Sequence, residues 1–395
     1  MRSSRRRMAR YWKSVGKLRS LLARLGFATS LAGLGYLVVA LDALRRFERR
    51  PIPLGTASPS VTILKPLCGL DYELFENLRT FCEQAYPSFQ IVFGVRDPED
   101  PAVAVARSLI ARYPERPFEL VVGEAPALNP KVALLLKMIE RANGELIVIA
   151  DADIRVGPEY LRQVVAPFED ESIAAATCLF GGVPSGAPLS ELAAMHVNDE
   201  FIPAVLVARL VEPLRYCIGA TVAIRRRALD QLGGFGAFAD ALADDYEIGR
   251  LVTENGGQIA LSSYVVHSVM DPAGLPELWL HELRWSRTIR AVRPGGYAKL
   301  FLTLPFPIAL ASALLARRRG PALFAAGAAL ALRVAMHYTA RDALRVRTAP
   351  APFLIPLRDS LSLAVWAAAY FGKEIRWRGR RYEVDARGRL AALPE

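Results

Sequence analysis

The sequence predicts an α/β protein, a mostly parallel sheet with helices on both faces, held between membrane segments at its two ends. Three observations predict it. From residue 58 onward, short β-branched runs alternate with stretches that carry apolar residues at helical spacing, the pattern of a parallel sheet with helical crossovers. One of these runs, Ile147-Val148-Ile149-Ala150, ends in Asp151-Ala152-Asp153, and ligands of open α/β sheets collect at such strand ends. The hydrophobic share of 52% is concentrated near the two termini, which suggests membrane attachment at both.

Residues 1–24 are dominated by Arg and Lys, and residues 25–41 then run without a charge up to Asp42, Arg45, Arg46, Arg49 and Arg50. That run is just long enough to span with snorkelling flanks. No small-residue cleavage site stands out before the basic block, so residues 1–57 are expected to be a retained basic N-terminus and anchor rather than a signal peptide. Within residues 58–297, strands are expected at 61–64, 90–95, 118–122 and 145–150, and helices at 71–85, 101–113 and 131–142. A strand and turn follow at 219–226, then the glycine-rich Gly233-Gly234-Phe235 and a helix over 275–290. Three further apolar pieces, 300–315, 321–332 and 361–372, are short or interrupted by Pro305, Pro307, Arg333 or Arg358. Residues 298–372 therefore span the bilayer or lie in its interface. Residues 373–395, with Trp377-Arg378-Gly379-Arg380-Arg381, read as a basic cytosolic tail beside the membrane.

The net charge of +11 sits beside apolar runs and is not interleaved with aromatic residues on one face. An anionic lipid bilayer is therefore the expected partner, with no nucleic acid. Cys68, Cys82, Cys178 and Cys217 show neither C-x-x-C pairing nor zinc-ligand spacing, and read as reduced thiols.

Two carboxylates beyond a buried strand suit a hard divalent cation that bridges to a diphosphate. Acidic residues also open loops and cap helices, so both readings of Asp151 and Asp153 are open. The second pair, Asp244-Asp245, precedes Tyr246-Glu247-Ile248-Gly249, where acids also complement a helix N-terminus. Lys65-Pro66-Leu67 and Asp97 stand at strand ends, a setting that also suits plain turns. His281-Glu282-Leu283-Arg284-Trp285, with Arg287 and Arg290, is either a site motif or an amphipathic helix that meets lipid phosphates. No single motif decides.

Their order does. Lys65-Pro-Leu-x-Gly69-x-Asp71, Asp97, Asn129-Pro-Lys131, Asp151-x-Asp153, Asp244-Asp245-Tyr246 and Arg284-Trp285 occur in sequence between two membrane-like ends. This arrangement resembles the lipid-directed GT-A glycosyltransferases, above all the ceramide glucosyltransferase-like family, and the bacterial hopanoid-associated glycosyltransferases are about as similar. The likeness covers roughly residues 58–297 and the Trp377 tail. Ala152, His281 and Ala133-Leu134 depart from the residues common in these families.

The resemblance implies a GT-A fold in which Asp97 contacts uridine and Asp151 and Asp153 hold the sugar nucleotide, with Mg²⁺ or Mn²⁺ on Asp153. It places Lys65 and Lys131 with the donor, makes Asp245 the catalytic base, and puts Arg284 and Trp285 on the acceptor and diphosphate side. The implied reaction is inverting transfer of glucose or N-acetylglucosamine from a UDP-sugar to a hydroxyl of a membrane lipid. Ceramide is the first acceptor expected and a hopanoid lipid the alternative. A polysaccharide synthase needs several long spans, and a non-catalytic scaffold would have lost the carboxylates. The expected location is a bacterial inner membrane with residues 58–297 in the cytosol, where UDP-sugars are made. Against this, Lys and Arg are more numerous before residue 25 than over 42–51, which places the N-terminus inside; a re-entrant anchor, or a true start at Met8, would ease the conflict.

Overall fold

The computed structural model describes residues 2–53, 55–377 and 380–393, with backbone alone for 2–11 and 13. Its centre is an eight-stranded sheet of β1 (Val61–Pro66), β2 (Phe89–Val95), β3 (Phe118–Val122), β4 (Leu146–Ala150), β5 (Ile154–Arg155), β6 (Ile173–Pro184), β7 (Thr221–Arg225) and β8 (Gln258–Met270). The order is β3-β2-β1-β4-β7-β6-β8-β5. The first four strands are mutually parallel, and β7 and β5 run against their neighbours. Each β1–β4 crossover carries a helix, Leu74–Cys82, Ala102–Arg112 and Pro130–Met138 in turn. The chain leaves β1 toward β3 and returns to the other side of β1 as β4, so the carboxyl ends of β1 and β4 flank the switch point where α/β sheets bind ligands. β2 and β4 are buried along their whole length because helices cover both faces.

The four expected early strands and their helices fall where the periodicity puts them, and the helix expected over 275–290 runs Leu275–Val292. The N-terminal anchor is longer than expected. One helix covers Arg2–Glu48, and its segment Ser14–Glu48 is long and apolar enough to cross a membrane, as is Gly320–Ala343. Pro294–Thr303 and Pro305–Leu315 form a third candidate bent by 67° at the prolines. Small residues let these helices approach closely: a Cβ on Gly33 would lie 2.7 Å from the Leu302 carbonyl, and Ser312 Oγ donates to the Ala23 carbonyl at 2.7 Å. The far end of the first helix joins the main core through Leu37, Ala40, Leu44 and Phe47.

Arg333 and Arg358 do not interrupt their helices as the sequence suggested. Arg333 lies inside Gly320–Ala343 and bonds Asp359 at 2.6 and 3.0 Å; Arg358 lies inside Ile355–Ala368 and grips both oxygens of Glu282 at 2.7 Å. Glu200 stands 3.5 Å from Arg358 and 3.7 Å from Arg333, and accepts from Ser362 Oγ. A buried charge is tolerated inside an apolar helix when partners from other elements satisfy it. The network ties the membrane-type helices to Glu282 in Leu275–Val292. Replacing Glu282 with Ala removes the two-oxygen carboxylate partner of the buried Arg358 guanidinium, and is expected to destabilise the fold by about 3–5 kcal/mol. Adding Arg358→Met should recover much of that loss in detergent-solubilised melts; equal melting of Glu282→Ala and wild type would contradict the network's role.

Among the described residues of the basic C-terminal segment, three strands form. β9 (Glu374–Trp377), β10 (Arg380–Val384) and β11 (Leu390–Ala392) form an antiparallel sheet. Ile375, Tyr382, Val384 and Leu390 are buried on one face, while intervening charges face out. Arg378 and Gly379 lie outside the described residues.

Candidate functional site

β4 ends at Ala150, and the next three residues carry both carboxylates. Asp151 is 40% exposed at its side chain, and Lys131 Nζ sits 2.7 Å from its Oδ1. The same ammonium lies 3.4 Å from Asp244 Oδ2, so Lys131 bridges the two acidic pairs. Burial alone would lower its pKa, but Asp151 and Asp244 outweigh it and keep Lys131 protonated. Lys131 is placed by Asn129, which caps the Pro130–Met138 helix by accepting from the Lys131 and Val132 amides at 2.9 and 3.1 Å.

Lys65 is fully buried at the end of β1. Its ammonium donates to the Asp151 carbonyl at 2.5 Å and lies 3.8 Å from the Phe81 ring centre. Burial pulls its pKa down to about 7. The structure therefore places Lys65 beneath Asp151 as a support for the loop, with its charge directed into the protein. Asp153 Oδ2 accepts from Ser268 Oγ at 2.5 Å, and burial, followed by the charge of Asp151, raises its pKa to about 6. Asp97 is exposed after β2 and accepts from the Glu99 amide at 2.9 Å.

Asp244 and Asp245 open the helix Asp244–Glu254. Asp245 Oδ1 accepts from the Tyr246 amide at 2.8 Å, and a Cβ on Gly219 would lie 3.1 Å from its Oδ2. Burial pushes Asp245 up to about 7, Asp244 adds to the rise, and Lys131 opposes it. A carboxyl held near neutrality beside a second acid is suited to proton transfer.

Arg284 and Trp285 stand on Leu275–Val292. Trp285 packs in an aromatic group with His281, Phe201 and Phe180 at centroid distances of 4.9, 5.9 and 6.3 Å. The Arg284 guanidinium lies 5.8 Å from the Trp377 ring of β9. Arg287 and Arg290 donate to carbonyls of the segment before β9, among them Phe371 at 2.6 Å and Gly372 at 3.1 Å, so these two cations are used within the protein.

The structure thus joins Lys65, Lys131, Asp151, Asp153, Asp244 and Asp245 in one cluster, and sets Asp97, Arg284 and Trp285 on separate elements. Among the described residues, no group of three or more His, Cys, Asp or Glu is placed to hold a metal. Two carboxylates of which one is held above its usual range are still a fitting donor set for Mg²⁺ or Mn²⁺. Such ions keep water and substrate phosphate as ligands and need few from the protein. Sequence reasoning missed Ser268 and the pairing of Lys131 with Asp244, since both depend on strands and loops far apart in the chain.

The sheet order, the switch-point carboxylates and the helix-covered core define a GT-A glycosyltransferase fold. Residues 25–390 match Glycosyl transferase family 21, and the chain belongs to that family. Ceramide glucosyltransferase 1 of Caenorhabditis elegans is 26% identical over 260 residues, 62% of this chain and 53% of that protein. The ceramide glucosyltransferase of Komagataella phaffii is 31% identical over 134 residues, 31% of this chain and 26% of that protein. The chain thus spans about half the length, or less, of these curated relatives. A mannosyltransferase from Pyrobaculum calidifontis, solved in complex with GDP-Man and Mn²⁺, shares the fold at a TM-score of 0.54 and 20% identity, covering 89% of this chain and 99% of that one.

Proposed function

We propose that the protein transfers a hexose, glucose or N-acetylglucosamine, from a UDP-sugar to a hydroxyl of a membrane lipid with inversion, and that ceramide is the acceptor. The observation that carries this reading is Lys131 between Asp151 and Asp244, which brings a diphosphate-type carboxylate pair and a second pair containing a near-neutral acid into one site. The site sits in a domain whose core is continuous with a helix long and apolar enough to cross a membrane. A lipid can then stay partly in the bilayer while its head group reaches Asp245.

Asp151 and Asp153 would hold the metal with the donor diphosphate, and Asp97 the uridine. The cation supplies charge for the departing diphosphate. Lys131 and Arg284 add fixed positive charge to the same end. Asp245 takes the acceptor proton as that hydroxyl attacks the anomeric carbon from the face opposite the leaving group, so one displacement inverts the centre. Trp285 bounds the acceptor side. The domain would face the cytosol of a bacterial inner membrane, where UDP-sugars are made; external protease that digests residues 58–297 in right-side-out vesicles would contradict this.

Because Asp245 must be ionised to accept a proton, kcat is expected to rise with pH through about 7 and to fall below it. A pH–rate profile checks this; a flat profile down to about pH 5 would point to a base of ordinary carboxylate pKa. The reading itself is tested by UDP release from UDP-glucose and UDP-N-acetylglucosamine with ceramide, hopanoid and total lipid extracts. Release that requires ceramide is expected. Release only with a hopanoid would change the acceptor, and release indifferent to lipid would contradict lipid glycosylation.

A further inference from the structure

Residues 239–243 lead directly into Asp244 and Asp245, and their backbone is held from two sides. On one side Asn129 donates its amide N–H to the Ala239 carbonyl at 2.9 Å and its side-chain Nδ2 to the Ala241 carbonyl at 2.8 Å. On the other, the Leu242 amide donates to the Gly388 carbonyl at 2.9 Å, and the Leu390 amide to the Asp240 carbonyl at 2.8 Å. Ala241 forms a bridge with Arg389, so the segment behaves as an added edge strand of the C-terminal sheet. Leu242 buries its side chain with Ile375, Tyr382, Val384 and Leu390.

The same sheet also touches the elements that carry Lys131 and Arg284. Leu128, just before the cap of the Lys131 helix, packs on its buried face, and Trp377 lies against Arg284. The turn that supplies the Gly388 carbonyl is itself built by two residues. Asp385 Oδ1 accepts from the Arg387 and Arg389 amides at 2.7 and 2.9 Å, and Gly388 takes a φ of +76° that side chains rarely adopt. A Cβ on Gly388 would come 2.8 Å from Val292 Cγ1, so the turn is seated against the end of Leu275–Val292.

We propose that the C-terminal sheet is a clamp that positions Asp245 for proton transfer, with Asp385 and Gly388 as its positioning residues. The proposal rests on the assignment of Asp245 as the base. Neither residue lies in the carboxylate cluster, so loosening the turn should act through the segment that carries Asp244 and Asp245, with a larger effect on turnover than on donor binding. A displacement of about 1 Å at a reacting group costs on the order of a hundredfold in rate.

The test uses the full-length purified chain carrying Gly388→Val, and separately the milder Asp385→Ala. It measures UDP binding by calorimetry, kcat with UDP-sugar and lipid, and hydrogen exchange over residues 239–245. Both variants are expected to exchange faster over 239–245 and to lose turnover by about ten- to a hundredfold, with a much smaller loss of UDP binding. Turnover retained while exchange is accelerated would overturn the clamp, as would unchanged exchange in both variants. Asp245→Asn in the same assay separates the two ideas. If it is inactive while the turn variants work normally, the clamp alone fails; if Asp245→Asn is fully active, the base assignment fails.

Discussion

Asp245→Asn is expected to lower turnover by about a hundred- to ten-thousand-fold while UDP-sugar affinity changes little, because general-base catalysis contributes on that order. The substitution keeps the side-chain shape in the narrow space against Gly219, and its amide oxygen still accepts the Tyr246 N–H seen at 2.8 Å. What it removes is the ability to take a proton. The neighbouring Asp244→Asn should behave differently. Asp244 lies 3.4 Å from Lys131 Nζ, and losing its charge loosens the cation that also holds Asp151. Its expected signature is therefore weaker donor binding with a smaller fall in kcat. Calorimetry with UDP-sugar and lipid-transfer kinetics on both purified variants check the pair. Normal transfer by Asp245→Asn with an inactive Asp244→Asn would reverse the assignment.

Chelation is expected to abolish turnover, with Mg²⁺ or Mn²⁺ restoring it. Asp151 and Asp153 are the carboxylates that would meet the diphosphate-bound cation, and Asp153→Asn removes one anionic oxygen from a site with few protein ligands. The loss should show as weaker metal-dependent UDP binding as well as slower transfer. The metal-free protein should not be destabilised by that change, since Ser268 Oγ, 2.5 Å from Asp153 Oδ2, can donate equally to an amide oxygen, and ionised Asp153 is disfavoured by burial. Full activity in EDTA would mean that Lys131 and other cations alone stabilise the leaving diphosphate.

Much of the α/β domain was legible because parallel strands announce themselves as short, wholly apolar runs. Leu146–Ala150 and the acids that follow it could be placed at a strand end from the residues alone, and the strand does end there. The long β6 and β8 were harder. β6 contains Gly181-Gly182 and β8 contains several serines, and their pairing carries register shifts that blur any simple period.

The buried arginines were misread for a physical reason. In a sequence, Arg333 and Arg358 interrupt apolar runs; only the fold supplies Asp359 and Glu282 to neutralise them. The C-terminal sheet was hidden by its own charges, although Ile375 and Trp377, then Tyr382 and Val384, alternate as a half-buried hairpin should. Lys65 carries a charge suited to phosphate, and the fold adds what the sequence could not show, its bond to the Asp151 carbonyl.

Lipid glycosylation is tested most directly by the product. Purified wild-type protein in nanodiscs, given UDP-glucose or UDP-N-acetylglucosamine, Mg²⁺ or Mn²⁺ and ceramide, should form a lipid bearing one sugar, detected by mass spectrometry. Its anomeric centre, read by NMR, should be inverted relative to the donor. A polymer, a free sugar without glycolipid, or a product with retained configuration would contradict this account.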